Sequence, residues 1–344
     1  MSFATTPKGS RHTGRAGVRD VARIAGVAPI TVSRALRTPN LVAKATRDRI
    51  QLAIEATGYI PNLVAGSLSS NRTQLIAAII PTLRGSMATQ ILEEMSAVLH
   101  GHGYHLLVGS SGFSIAEEEA LVAAFLARRA DALYLTGQTH SARTRKLLKH
   151  AGIPVVEVAT LPRRPIDTAV GFSNESAGYK MTSWLIAQGY RRIAFFSTET
   201  KHNDRQTERL AGYRRALHEA GHRYNPAMVA EMPIDLECSK ENLLALLQRE
   251  PGVDALFCGS DVLALGALLE CERQGIRVPD QLAIAGFDDL DIAKHVTPAL
   301  TTVRIPSREI GHGAAEMLLA RLMGRRVSPR IVDLGFEIVP RQSA

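Results

Sequence analysis

Cysteine is scarce in this chain. Cys238, Cys258 and Cys271 are the only three in 344 residues. They form an odd set without ligand-like spacing, which excludes a disulfide framework and predicts reduced thiols in a cytoplasm. Long apolar runs are also missing. None reaches the roughly 18–20 residues of a membrane span, so no membrane partner is expected. Residues 1–17 are rich in Thr, Ser, Arg and Gly and lack the apolar core of an export signal. They read as a flexible basic tail on a protein that is not exported. Catalytic patterns are absent too. Gly109–Gly112 and Gly137 form no Gly-Lys-Ser/Thr phosphate loop. His100, His102 and His105 straddle helix, glycine and strand without a cysteine partner, so no metal is expected. Glu117–Glu119 reads as a solvated helix start that complements the helix dipole. The expectation is a protein with no catalytic residues and no cofactor, not an enzyme.

What is present is charge, unevenly placed. The net charge is +8, and residues 1–62 hold ten Lys/Arg against three acids. A head of about +7 thus precedes a nearly neutral body of 282 residues, which points to a polyanionic partner for the head alone.

Within that head, residues 18–61 read as an all-α helix-turn-helix module. Val21, Ile24 and Ala25 fall at helical spacing, so Arg19–Ala25 can pack one face inward. Gly26 suits a left-handed helix stop, and Pro29 can open a second helix almost at once. There Val32 and Leu36 are expected inside, with Ile30, Thr31, Ser33, Arg34 and Arg37 outside. A third helix follows from about Lys44 to Thr57, with Ile50, Ala53 and Ile54 on one side. In such a module the second helix enters the major groove. Arg34 can donate two hydrogen bonds to guanine, a pair worth about 1–3 kcal/mol of discrimination. Pro29 and Ile30 can only touch thymine methyls or fill space. Arg19, Thr31, Ser33 and Lys44 suit phosphates, which position rather than read.

These residues resemble the lactose/galactose repressor (LacI/GalR-type) family of transcriptional regulators. The matching pieces are Asp20-Val-Ala, Ala25-Gly-Val27, Thr31-Val-Ser-Arg34, Val42 with Thr46-Arg47, and Gly58-Tyr-Ile-Pro-Asn62. The resemblance implies a homodimer on a pseudo-palindromic double-stranded operator, with Thr46, Tyr59 and Asn62 among the DNA-facing positions. It also implies that residues 62–72 are a hinge and linker, Leu63–Ser69 forming a short helix on DNA with Leu68 wedged into a base step. Where the family carries Ser before the second and third helices, this chain has Ala28 and Ala43. Each lost cap destabilises by about 0.5–2 kcal/mol, so a marginally stable head is expected.

Residues 73–344 alternate strand and helix. Strands are expected at Leu75–Ile80, His105–Gly109, Ala132–Leu135, Pro154–Val158, Thr168–Phe172, Arg192–Phe196, Ala255–Cys258 and Leu282–Phe287. Helical runs end at Gly103, Gly152, Gly189 and Gly275 before the next strand, a βα repeat that implies an α/β body with parallel sheets. The strands are too many for one compact half, so two lobes are expected. The family resemblance extends here and implies a periplasmic-binding-protein-like body for effector binding and dimerisation. Its lobes are expected at roughly 73–172 with 303–332, and 173–302 with 333–344.

Open parallel sheets bind ligands beyond the carboxyl ends of their strands. The loops there are Thr82–Ala88, Thr136–Thr139, Ser173–Glu175, Ser197–Arg209, Gly259–Asp261 and Asp288–Asp291. Arg209-Leu-Ala-Gly-Tyr213 resembles the family motif whose Arg grips the effector, and Asp288 matches its sugar-hydroxyl acceptor. Asp289 reads as a helix cap or turn carboxylate. Ser260-Asp261 replaces a common Asn-Asp. Ala159 stands where neutral-sugar members often have Asp, and Met87 and Ala88 where nucleobase binders have aromatics. Glu157, on the strand face of Ala159, is either a substitute ligand or a wall residue.

Thr168-Ala-Val-Gly-Phe-Ser-Asn174, Ala283-Ile-Ala-Gly-Phe287 and Val332-Asp-Leu-Gly-Phe336 resemble the gluconate-type repressors within the family. That implies a sugar-acid effector, gluconate or 6-phosphogluconate, which releases the operator. A corepressor-dependent regulator, a transport solute-binding protein and a sugar-acid enzyme are the rival readings. The basic head and missing signal argue against the second, and the missing catalytic motif against the third.

Overall fold

The computed structural model describes residues 16–60, 72–84 and 87–344, apart from the side chain of Arg37. The expected hinge, with Asn62 and Leu68, and the tail through Arg15 lie outside the described residues. The chain divides into two compact units, residues 1–73 and 74–344.

The first unit holds α1 (Val18–Ala25), α2 (Pro29–Arg37) and α3 (Lys44–Thr57). Asp20 accepts the Gly17 N–H at 2.9 Å and so closes the start of α1. Gly26 and Gly58 end α1 and α3 at φ 65° and 61°, a conformation that a Cβ would strain. Pro29 opens α2. Ala28 and Ala43 precede α2 and α3, and neither offers a side-chain acceptor.

Val21, Ala22, Ala25, Val32, Ile50 and Ala53 form the head core, with Val18, Val27, Ala35, Ile54 and Tyr59 packed around them. Two expectations are corrected. Ile24 is 51% exposed and Leu36 is 40% exposed. Ala22 and Ala35 take the inward places because short helices around a small core approach closest where the side chains are small.

The second unit builds two six-stranded sheets. In the first, β1 (Leu75–Ile80), β2 (His105–Ser110), β3 (Ala132–Thr136), β4 (Val155–Val158) and β5 (Thr168–Gly171) are joined through α4 (Met87–His100), α5 (Ile115–Ala127) and α6 (Ala142–Ala151). In the second, β6 (Ile193–Thr198), β7 (Val229–Met232), β8 (Ala255–Cys258) and β9 (Ala283–Asp288) alternate with α7 (Asn174–Ala187), α8 (Asp204–Glu219), α9 (Leu236–Arg249) and α10 (Asp261–Gln274). β10 (Thr301–Arg304) continues the second sheet, α11 (Ser307–Leu322) returns to the first, β11 (Ile331–Asp333) pairs there with β5, and β12 (Glu337–Val339) pairs with β10. Strand order is β11-β5-β4-β3-β1-β2 and β12-β10-β9-β8-β6-β7. Every pair is parallel except β10 with β12. Central strands such as Leu75-Ile-Ala-Ala-Ile-Ile80 are buried on both faces, hence continuously apolar.

The chain therefore crosses between sheets three times: after β5, after β10 and after β11. The crossings expected after Thr302 and Val332 fall inside β10 and β11, whose pairing holds the second sheet to Arg304 and the first to Asp333. β7, β10, β11 and β12 lie outside the expected strands: unlike the equally short β4, β5 and β8, they are not buried end to end. At the crossings the Phe172 ring stands 6.1 Å from Phe287 and 6.4 Å from Phe336. Through them one apolar core continues from lobe to lobe.

The uncapped head helices generate a test. Ala28→Ser and Ala43→Ser should each stabilise the head by about 1 kcal/mol. Amide hydrogen exchange of α2 and α3 in the full-length protein should slow roughly fivefold per cap; unchanged exchange would mean that other groups already satisfy these helix starts.

Candidate functional site

On the head, Val32 anchors α2 while Pro29, Ile30 and Arg34 face solvent, Ile30 at 66% exposure. Arg19 and Lys44 are exposed, and Thr31, Ser33 and Thr46 are half-buried. Tyr59 packs against the head core, seating the end of α3.

In the second unit the site begins with two glycines. Gly178 in α7 and Gly212 in α8 let these helices touch backbone to backbone. A Cβ on Gly178 would strike the Arg209 carbonyl, and one on Gly212 the Glu175 carbonyl. That contact fixes where α8 presents Arg209. Its guanidinium is buried, donating from Nε to Asn174 Oδ1 at 2.9 Å and from one terminal nitrogen to the Gly259 carbonyl at 2.7 Å. It lies 3.5 Å above the centroid of the Phe287 ring. Burial pulls its pKa down to about 10 against the opposing pull of Asp288, so it stays a cation at neutral pH.

Asp288 ends β9 at φ 117°, a backbone region that non-glycine residues rarely occupy. The turn beyond it is clamped. Asp289 pairs with Arg304 at 2.7 Å and Arg341 at 2.6 Å, so it is an ionic anchor rather than a cap. Asp261 accepts from the Leu290 N–H and the Thr302 hydroxyl at 2.7 and 2.6 Å. Burial pushes Asp288 up to about 8 in spite of Arg209. At neutral pH it is protonated and can donate as well as accept.

Arg209 and Asp288 line a narrow cleft of ≈ 50 Å³ that also takes in Met87, Ala88, Phe113 and Ser260. Met87, Ala88, Ser260, Arg209 and Asp288 thus come together. The Ser260 hydroxyl accepts the Val262 N–H at 3.3 Å and caps α10. Gln138, after β3, bridges to the other lobe: its N–H donates to Asp204 Oδ2 at 3.0 Å and its amide to Glu208 Oε1 at 2.7 Å.

Glu157 is not in the cleft. It accepts the Ile166 N–H at 2.6 Å and faces His140 at 3.5 Å, with Glu118 on the other ring nitrogen at 2.9 Å. It is a wall residue whose charge serves the buried imidazole. Strand alternation allowed either side, and the β3–α6 turn decided it by bringing His140 beneath β4.

Arg205 was missed. It stands one helical turn before Arg209 on α8, is 7% exposed and lines the cleft. No hydrogen bond or ion pair engages its guanidinium among the described residues. The i, i+4 spacing in Asp204-Arg-Gln-Thr-Glu-Arg209 carried this signal. Asn203 and Gln206, also unanticipated, line the same wall.

Burial alone would lower His140, but Glu118 and Glu157 outweigh it and hold the ring up to about 9. The stability gained from its charge is complete below the ordinary value of 6.5 and is lost as pH rises through about 9. The melting difference between wild type and His140→Gln should therefore shrink between those limits. Glu157→Gln should destabilise by about 2 kcal/mol yet leave ligand affinity at the cleft unchanged; weakened binding without lower melting would return Glu157 to the site.

Comparison with known proteins matches residues 18–62 to "Bacterial regulatory proteins, lacI family" and residues 182–344 to a periplasmic binding protein-like domain. The HTH-type transcriptional regulator GntR of Pseudomonas aeruginosa is 37% identical, with both chains covered completely. A solved LacI family transcriptional regulator from Silicibacter pomeroyi superposes with TM-score 0.89 at 32% identity, covering 95% of this chain and 99% of its own. The transcription regulator GntR from Chromobacterium violaceum gives 0.75 at 36%, covering 78% of this chain and 98% of its own. A helix-turn-helix head joined to a two-lobed body, with relatives similar over the full length, shows that this chain belongs to the lacI family of bacterial regulatory proteins.

Proposed function

We propose that the protein is a sequence-specific, DNA-binding transcriptional repressor of sugar-acid (gluconate-type) catabolism genes. It acts as a cytoplasmic homodimer on a pseudo-palindromic double-stranded operator and lets go when a sugar acid such as gluconate or 6-phosphogluconate fills the cleft. The full-length similarity to GntR regulators supports the class. The observation that carries the effector chemistry is Arg205: a buried guanidinium with no hydrogen bond or ion pair among the described residues, beside a second cation and a neutral carboxyl. A buried cation left unpaired is unfavourable, and an acid ligand relieves it.

In this reading the carboxylate or phosphate of the effector lies on Arg205. Arg209, held by Asn174 and Gly259, still has a terminal nitrogen for the sugar chain, and protonated Asp288 exchanges hydrogen bonds with its hydroxyls. Met87 and Ala88 cover the ligand from the first lobe. A ligand touching both lobes favours their closed arrangement, which Gln138 already bridges. Release follows if the closed form holds DNA less well, and the coupling is then reciprocal. On the head, Arg34 reads bases while Arg19, Thr31, Ser33 and Lys44 meet phosphates.

Calorimetric titration with gluconate, 6-phosphogluconate, 2-ketogluconate and glucose tests the effector class. The acids should bind and glucose should not; operator affinity with and without the bound acid then gives the sign, tighter binding marking a corepressor. Arg205→Ala should weaken the acids about 10–100-fold, the worth of a hydrogen bond to a charged group, with operator affinity intact. Acid binding should be level below pH 8 and weaken above it, because Asp288 then ionises beside the anion; in Asp288→Asn this decline should vanish. Arg34→Ala should abolish preference for the operator and keep salt-sensitive nonspecific binding; equal loss on both DNAs would indicate an unfolded head.

A further inference from the structure

All strands of the first sheet start in register: Leu75 pairs with His105, Ile76 with Ala132, Leu133 with Val155, Val156 with Thr168, and Ala169 with Ile331. The turns leading into them share one edge, about 24 Å long at the usual strand spacing. Those turns carry Arg128 and Arg129 before β3, Lys149 before β4, and Arg325, Arg326 and Arg330 before β11, all exposed. Arg72 precedes β1, and Arg321 stands in the last turn of α11. The acids in these turns are Asp131 and Asp167. The first accepts the Gln74 N–H at 2.8 Å, and the second faces Arg321 at 3.0 Å and Arg330 at 3.9 Å.

The edge thus carries a surplus of six positive charges. Residues 72–344 together hold 31 Lys/Arg against 30 Asp/Glu, so the rest of the body is net negative. Complementing helix dipoles accounts for Arg128, Lys149 and Arg321, which close α5, α6 and α11. It does not account for Arg325 and Arg326, which lie in the turn beyond α11; Arg326 borders a groove of ≈ 510 Å³ with Arg321 and Arg330.

We propose that this edge is a second DNA-binding surface, one that lies along the phosphate backbone flanking the operator. The proposal rests on the head being an operator reader. The chain arrives from α3 at this very edge, since Gln74 leads into β1. Thirteen residues, 61–73, span at most about 45 Å when extended, a reach that lets the edge meet duplex flanking the operator. A linear array of arginines against a linear array of phosphates gives affinity without sequence preference. The body therefore adds a nonspecific grip to the specific one of the head.

The test uses the full-length protein and an operator selected from random duplex by the wild type. Two duplexes are compared, the bare operator and the operator with about one further helical turn on each side. Arg325→Ala with Arg326→Ala should weaken binding to the long duplex about tenfold and make the salt dependence shallower by about 0.9 per lost phosphate contact. Binding to the bare operator and to gluconate should not change. Arg128→Ala with Lys149→Ala, on another stretch of the edge, should act the same way. An unchanged salt slope on the long duplex overturns the proposal and leaves the edge to an acidic protein partner. Equal losses on both duplexes overturn it too, assigning the arginines to folding. A wild type that selects no operator at all would instead sink the repressor reading itself.

Discussion

A buried cation on an aromatic ring organises the effector half of this protein. Arg209 sits 3.5 Å above Phe287 while its nitrogens hold Asn174 and the Gly259 carbonyl. Taking a guanidinium out of water is unfavourable by several kcal/mol, and only well-aimed partners offset it. The partners come from the start of α7, the turn after β8 and the end of β9, so the charge fastens together the tips of separate elements. Phe287, beneath it, also touches Phe172 at the crossing into the first lobe. In the proposed function, a ligand that pulls on Arg209 therefore acts next to the crossing that joins the two lobes.

The same burial decides the protonation of the cleft. Desolvation outweighs the attraction of both arginines and leaves Asp288 neutral at physiological pH. The cleft consequently has two cations and no opposing ionised carboxylate between them. Asp204 and Glu208, which could have neutralised Arg205, are turned toward Gln138 of the other lobe. In the proposed function, discrimination between an acid and a neutral sugar then rests less on any carboxylate than on Arg205, whose guanidinium has no hydrogen bond or ion pair among the described residues.

How much of this was legible in the chain varies with the signal. The βα repeat was readable because parallel strands buried on both faces are written as short apolar runs between helix-stopping glycines. The strands β7, β10, β11 and β12 were not, since, unlike the equally short β4, β5 and β8, they are not buried end to end. Arg209 and Asp288 stood out through their family motif, and the cleft does contain them. Arg205 carries no motif of its own, only a helical spacing from Arg209. Glu157 stayed open because strand alternation leaves two faces available, and its choice of face depends on His140, seventeen residues earlier. Ile24 and Leu36 misled because in so small a head the alanines, not the larger residues, turn inward.

The two units also differ in what holds them. The body buries long stretches of both sheets, whereas the head relies on six buried residues, three of them alanine, and two helices that start on alanine. A fold with that little apolar contact draws a substantial share of its order from whatever binds it, in proportion to RT ln(1 + [L]/Kd). Its excess of seven positive charges works against it in free solution and for it on a polyanion. Weakening of the DNA contact therefore loosens the head itself, and loosening of the head weakens the contact further. If ligand binding at the cleft is coupled to the head as proposed, a modest free-energy difference there is enough to tip such a pair, because the reader has little stability of its own with which to resist.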